Sequence, residues 1–388
     1  MIPRQAAVSI REKIKHYPVL AVTGPRQAGK STLVKSIFPE KPYVSLEDLD
    51  TRQFATDDPR AFLAQFPEGA ILDEVQRCPD LFSYLQTIVD AQSQMGLFVL
   101  TGSEQFGLLE KITQSLAGRV GFIQLLPFML SELQAAERDL GTVEDLLFTG
   151  LYPPIYDRKI PPTLWYSDYV LTYLERDVRQ LINVKDLQTF HRFLKMCAAR
   201  TGQLLNLSSL AADCGITHNT AKAWISVLEA SYILHLLPPH FCNFNKRLVK
   251  NSKLYFYDTG LVCTLLGIQQ ADQLITHPIR GPLFETLVIS ELIKNRFNAG
   301  LLSNLYFWRD SQGHEVDVII EQGNQLIPLE IKSGQTMNAD YFTALNYWKT
   351  LDSQAGASFL VYAGDASQTR SACQVIGWKE LNQYLGQL

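Results

Sequence analysis

The sequence predicts an α/β protein: an open parallel sheet early in the chain, a helical region in the middle, and a separate α/β domain at the end. Three observations lead to this. Apolar runs of buried-strand length recur early, in Tyr17-Pro-Val-Leu-Ala-Val-Thr23, Ala70-Ile71-Leu72 and Gly96-Leu-Phe-Val-Leu100, and each ends in polar residues. After the Pro-rich break Gly150-Leu151-Tyr152-Pro153-Pro154, apolar positions take up helical spacing. Beyond Leu305 the pattern returns to strands joined by a turn at Gly323-Asn324. A chain of 388 residues is too long for one core, and the expected division is 1–150, 151–260 and 261–388.

The first run feeds directly into Gly24-Pro25-Arg26-Gln27-Ala28-Gly29-Lys30-Ser31-Thr32, a complete G-x-x-x-x-G-K-S phosphate-binding loop in its strand-to-helix setting. Gly24 and Gly29 let the loop fold back so that its N–H groups point inward, and the following helix presents its positive end to the phosphates of ATP. Lys30 is expected on the β and γ phosphates and Ser31 on Mg²⁺.

The second run ends in Asp73-Glu74, about 40 residues after the loop. That is where a P-loop enzyme needs one carboxylate for the metal and another beside the attacking water. Asp73 takes the metal role and Glu74 the base role. The third run ends in Thr101-Gly102-Ser103, whose hydroxyls are expected beside Asp73 at the carboxyl edge of the sheet.

The strings GPRQAGKST, ILDEVQ, LTGSEQF, SLAGRV and LLPFMLSEL together resemble a family of prokaryotic AAA-type ATPases of the extended AAA+ class. The resemblance implies that Ser103 is the sensor of the γ-phosphate. It also implies that Arg119 reaches a phosphate in its own or a neighbouring subunit; a surface or structural arginine is the other reading. Arginine-finger chemistry implies a homo-oligomer, with a hexameric ring as the default. Arg176, in Tyr173-Leu-Glu-Arg-Asp177, is a candidate second sensor or a helix-face ion pair.

In the middle region, Leu207 to Leu228 reads as helix, turn, helix, with Gly215 at the turn and Thr217 capping the second helix. Strand-like Tyr232-Ile-Leu-His-Leu-Leu237 and Lys253-Leu-Tyr-Phe-Tyr257 flank Lys246, Arg247 and Lys250, which completes a winged-helix pattern. It places His218, Asn219 and Lys222 at the front of a recognition helix and the wing cations on DNA phosphates. The competing reading is a domain that packs the ATPase against its neighbour.

Near the end, Glu285 lies early on an amphipathic helix, and Glu330 and Lys332 share one strand face because side chains alternate with a period of two. Asp317 stands across the hairpin. Two carboxylates and a lysine on adjacent strands, with Glu285 nearby, suit metal-assisted phosphodiester hydrolysis. The pattern resembles the PD-(D/E)XK nuclease superfamily, a restriction-endonuclease-like fold. That resemblance implies Mg²⁺ or Mn²⁺ on Asp317, Glu330 and the Ile331 carbonyl, water-mediated ligation by Glu285, and Lys332 orienting the water. No proline precedes Asp317, a departure from the commonest form, and nuclease folds also persist as inert binding modules.

A net charge of -4 confines any DNA contact to a local basic surface. The six cysteines lie far apart, with no C-x-x-C pair, and are expected to be reduced and mostly buried. No apolar run approaches the roughly 20 residues that span a bilayer, which predicts a cytoplasmic protein with no membrane partner. The expected function is a Mg-ATP-dependent ATPase that binds, remodels or moves along DNA, with metal-dependent cleavage as a second activity. The alternative is a nucleotide-switched DNA- or protein-binding module with an inert nuclease fold.

Overall fold

A computed structural model describes residues 2–92, 94–103, 115–178, 186–241, 249–351, 356–370 and 373–386, with the side chains of 175–178 outside that description. Two compact units emerge. The first comprises Met1–Phe128, Ala230–Tyr232 and Arg296–Leu302, and the second Met129–Glu229, Ile233–Asn295 and Ser303–Leu388. These units cut across the expected boundaries at 150 and 260. The helix Val143–Thr149 packs on Thr259–Leu265 and on the short 3-10 turn Ala271–Ile275, which draws the segment after Phe128 into the second unit.

The first unit is built on a five-stranded parallel sheet. Its strands are β1 (Val19–Thr23), β2 (Tyr43–Ser45), β3 (Ile71–Asp73), β4 (Phe98–Gly102) and β5 (Val120–Gln124), in the order β2-β3-β4-β1-β5. Alternate residues of β1 serve opposite faces: Val19 and Ala21 join one apolar cluster with Leu72, Phe82 and Leu100, while Leu20 and Val22 join another with Ile10, Leu33 and Val99. Both faces are therefore covered, which is why the strands read as unbroken apolar runs.

The second unit holds two sheets. One is antiparallel: β6 (Gln203–Leu204), β7 (Leu234–Leu237) and β8 (Lys253–Phe256), in the order β6-β8-β7. It accompanies the helices Leu207–Cys214 and His218–Ala230. Gly215 closes the first of these in the left-handed conformation (φ 70°), and the Thr217 hydroxyl accepts from the Thr220 N–H at 3.1 Å. Ala221, Trp224, Ile225 and Leu228 are buried, whereas His218, Asn219 and Lys222 face solvent. Of the expected wing cations, Lys250 is exposed, and Lys246 and Arg247 lie outside the described residues.

The other sheet contains β9 (Leu305–Arg309), β10 (Glu315–Gln322), β11 (Gln325–Lys332), β12 (Phe359–Tyr362), β13 (Gln368–Thr369) and β14 (Gln374–Gly377), in the order β13-β14-β12-β11-β10-β9. Strands β9, β10 and β11 form an antiparallel meander, β11 and β12 run parallel, and the helix Arg280–Asn298 precedes them. Trp308, Val316, Ile319 and Trp348 form one of its buried clusters. Five cysteines are free and buried, Cys78, Cys197, Cys214, Cys263 and Cys373, and Cys242 lies outside the described residues. Among the described residues, no helix is long and apolar enough to cross a membrane.

Candidate functional site

The loop from Gly24 to Lys30 leaves the carboxyl end of the interior strand β1, which lies between β4 and β5. Gly24 takes φ 148°, and a Cβ there would fall 2.0 Å from the Leu125 carbonyl oxygen, so only glycine lets the loop pass β5 this closely. Gly29 is left-handed (φ 91°) and starts the helix Lys30–Ile37. Arg4, from the segment before the sheet, braces the loop by donating to the Ala28 carbonyl at 2.7 Å and the Leu126 carbonyl at 2.5 Å. Lys30 Nζ donates to the carbonyls of Gly24 and Pro25 at 2.9 and 2.8 Å. Burial pulls its pKa down to about 8, against the opposing effect of Glu74 and Asp73.

Asp73 closes β3 and gathers hydroxyls. Ser31 lies 2.9 and 3.0 Å from its two oxygens, Tyr43 donates at 2.5 Å, and Thr101 donates to Oδ1. Glu74 follows in the left-handed conformation (φ 55°), a strained choice for a residue with a side chain. Its Oε2 accepts from Gln76 Nε2 at 2.5 Å and Ser103 Oγ at 3.1 Å. The structure thus brings Lys30, Ser31, Asp73, Glu74 and Ser103 to one sheet edge. Arg119 is engaged elsewhere: Nε and Nη2 donate to Asp90 at 2.5 and 2.9 Å, and Nη1 to the Ala117 carbonyl. Arg26 stands 3.9 Å from Glu47, and the Arg176 side chain lies outside the described residues. Arg4 and Tyr43 were not singled out by sequence reasoning, because neither belongs to a motif.

The second unit carries the other constellation. Val318 pairs with Leu329 across the hairpin, so Asp317 falls opposite Glu330. The β9–β10 register shifts between Val316 and Ile319, and such a bulge re-aims side chains. Asp317 Oδ2 accepts from the Ile331 N–H at 2.8 Å, and Lys332 Nζ donates to Glu330 Oε1 at 2.5 Å. Glu330 is only 4% exposed, yet its Oε2 has no hydrogen-bond partner among the described residues. Burial, then the neighbouring Asp317 carboxylate, raise the Glu330 pKa, with Lys332 opposing. A buried carboxylate oxygen left open beside a second carboxylate suits a divalent cation, with Asp317 and Glu330 as the groups that would hold it.

Glu285, expected as a water-mediated ligand, makes its described side-chain contacts through one oxygen, Oε1. It accepts from Lys253 Nζ at 3.1 Å and from the Tyr255 hydroxyl. Lys253 and Tyr255 alternate on one face of β8, a relation that spacing alone did not connect with a helix 30 residues away. Among the described residues, no three His, Cys, Asp or Glu side chains converge as a metal cage.

A parallel sheet in this order, with a phosphate-binding loop after the interior strand β1 and an aspartate–glutamate pair two strands away, defines an AAA-type P-loop ATPase domain. Comparison with known proteins agrees: the family described as AAA domain matches residues 16–134. Two domains of unknown function, DUF8612 and DUF4143, match 140–272 and 280–381. The chain belongs to the same family as the uncharacterized protein Rv2008c of Mycobacterium tuberculosis, with 32% identity over 342 residues, 86% of this chain and 74% of the mycobacterial protein. The uncharacterized protein Mb2031c of Mycobacterium bovis matches to the same extent. Among solved structures, the Walker-type ATPase PABY2304 of Pyrococcus abyssi is similar at 15% identity and TM-score 0.42, covering 68% of this chain and 96% of that one. AMPPCP-bound DnaA of Aquifex aeolicus is similar at 13% identity and TM-score 0.31, covering 59% and 89%.

Proposed function

We propose that this protein is a Mg-ATP-dependent ATPase that acts on DNA. The observation that carries the hydrolytic part is the pairing of Ser31 with Asp73 beside a Glu74 held by Ser103 and Gln76. Lys30 and the loop N–H groups bind the phosphates, Ser31 and Asp73 hold the metal, and Glu74 takes the proton of the attacking water. Held by Ser31 and Asp73, Mg²⁺ would neutralise charge on the nucleotide phosphates. Ser103 fixes the Glu74 carboxylate and carries γ-phosphate contact to it. Arg119, released from Asp90, is the candidate finger of a homo-oligomer, a hexameric ring by default.

DNA contact is assigned to the helix His218–Ala230, read as the recognition helix of a winged-helix domain. Its support is the burial pattern: Ala221, Trp224, Ile225 and Leu228 point inward, and His218, Asn219 and Lys222 are exposed at the front. The C-terminal domain is read as restriction-endonuclease-like, with Mg²⁺ or Mn²⁺ on Asp317 and Glu330, and the protein as cytoplasmic.

A second reading has its own observation. The Lys253–Glu285 pair withdraws one expected ligand, which favours a nuclease fold that binds DNA without cutting it. ATP turnover with and without duplex DNA, alongside cleavage of end-labelled duplex, single-stranded and branched DNA in Mg²⁺ or Mn²⁺, separates the readings. DNA-stimulated turnover that is lost in Lys222→Glu supports the proposal, and turnover indifferent to every DNA overturns it. Cleavage abolished by Asp317→Ala removes the second reading.

A further inference from the structure

Lys253 is 3% exposed and lies among carboxylates. Its ammonium stands 2.5 Å from Glu315 and 3.1 Å from Glu285, with the Phe307 ring 5.6 Å away. Arg309 holds the other oxygen of Glu315 at 3.0 Å, and Lys332 holds Glu330. Tyr255 adds a hydroxyl to Glu285. Four carboxylates (Glu285, Glu315, Asp317 and Glu330) thus face three cations (Lys253, Arg309 and Lys332), and among the described residues the oxygen of this cluster that is buried without a hydrogen-bond partner is Glu330 Oε2.

We infer that Lys253 is a tethered cation of this cluster: its ammonium occupies the Glu285 side, so the site takes one divalent ion, on Asp317 and Glu330, and no second ion on Glu285. The inference rests on the reading of Asp317 and Glu330 as metal ligands. A buried ammonium between two carboxylates cannot be shared with a dication at the same oxygens without strong repulsion in a low-dielectric interior. Asp317 and Glu330 keep one surplus negative charge, enough to attract a single ion. Glu285 then acts as the positioning residue of Lys253, which is why it is served by two donors and leaves the metal to the hairpin.

The test is Mn²⁺ binding to the full chain without nucleotide, with free Mn²⁺ followed by electron paramagnetic resonance, in the wild type, Asp317→Asn, Glu285→Gln and Lys253→Met. Ions lost in Asp317→Asn are those of this site. The inference expects one such ion in the wild type and two in Lys253→Met, with Glu285→Gln shifting wild-type affinity by less than about threefold, whereas loss of a true ligand or its support costs on the order of tenfold or more. Two Asp317-dependent ions in the wild type, or a tenfold loss in Glu285→Gln, overturns it. If Lys253→Met does not fold, as its circular dichroism would show, Glu285→Gln decides alone. No Asp317-dependent ion in any of these proteins overturns the reading of Asp317 and Glu330 as ligands, and the inference with it.

Discussion

The Ser31 hydroxyl sits astride the Asp73 carboxylate, 2.9 Å from one oxygen and 3.0 Å from the other. Ser31 lies in the first turn of the helix after the β1 loop and Asp73 at the end of β3, and they meet because β4 alone separates β1 from β3 in the sheet. Asp73→Asn is expected to lower Mg-dependent phosphate release by roughly 100-fold or more, since the metal then loses its charged second-sphere or direct partner. Turnover within a few-fold of wild type would remove Asp73 from the metal site.

Glu74→Gln separates binding from hydrolysis. Gln keeps the size of the side chain and its contacts with Ser103 and Gln76, but cannot take a proton. ATP affinity, read with a fluorescent analogue, should be retained, and turnover should fall by about 10²- to 10⁴-fold. Equal loss of both would mark Glu74 as structural.

Arg119 tests the finger assignment. Its partner Asp90 is largely exposed, so the pair contributes little to folding. Arg119→Ala should leave the melting temperature nearly unchanged while lowering turnover, and the loss should grow as protein concentration favours assembly. A variant with full turnover at every concentration would leave Arg119 as a surface residue.

His235 is buried between Tyr255 and Tyr257, and neither ring nitrogen has a hydrogen-bond partner among the described residues. Burial lowers its pKa from 6.5 to about 3. Between those values the unfolded chain binds the proton and the folded chain does not, so this residue costs stability as pH falls below about 6.5 and nothing above it. His235→Phe should therefore lose less melting temperature than the wild type between pH 7 and pH 4.5. Parallel curves would show that His235 takes up its proton as readily in the folded chain as in the unfolded one.

The Lys294–Glu291 pair is fully buried, at 3.0 Å, and Glu291 also accepts from the Leu130 N–H at 2.9 Å. Lys294→Met strands the carboxylate and is expected to cost ~3–5 kcal/mol, read from the urea midpoint. Removing both charges in Lys294→Met/Glu291→Leu should recover part of that loss. A loss in the double variant equal to the sum of the losses in Lys294→Met and Glu291→Leu would mean that the pair is not coupled.

The sequence by itself determined the nucleotide site almost completely. Its residues are set by local chemistry: glycines at positive φ, a lysine and serine at fixed spacing on one helix, and acids at a strand end. Such features are short-range, so they are written in consecutive residues. The hairpin face of Asp317, Glu330 and Lys332 was legible for the same reason, through the alternation of side chains along paired strands. What only the tertiary structure decided is which distant groups meet these motifs. Arg4 reaches the loop, Tyr43 reaches Asp73, and Arg119 turns to Asp90, each through chain reversals that no local pattern encodes. The same holds for Lys253, whose ammonium is sequestered by Glu285 and Glu315 because an antiparallel strand and a helix pack together. Burial takes that ion pair out of water, and burial is a property of the folded chain alone.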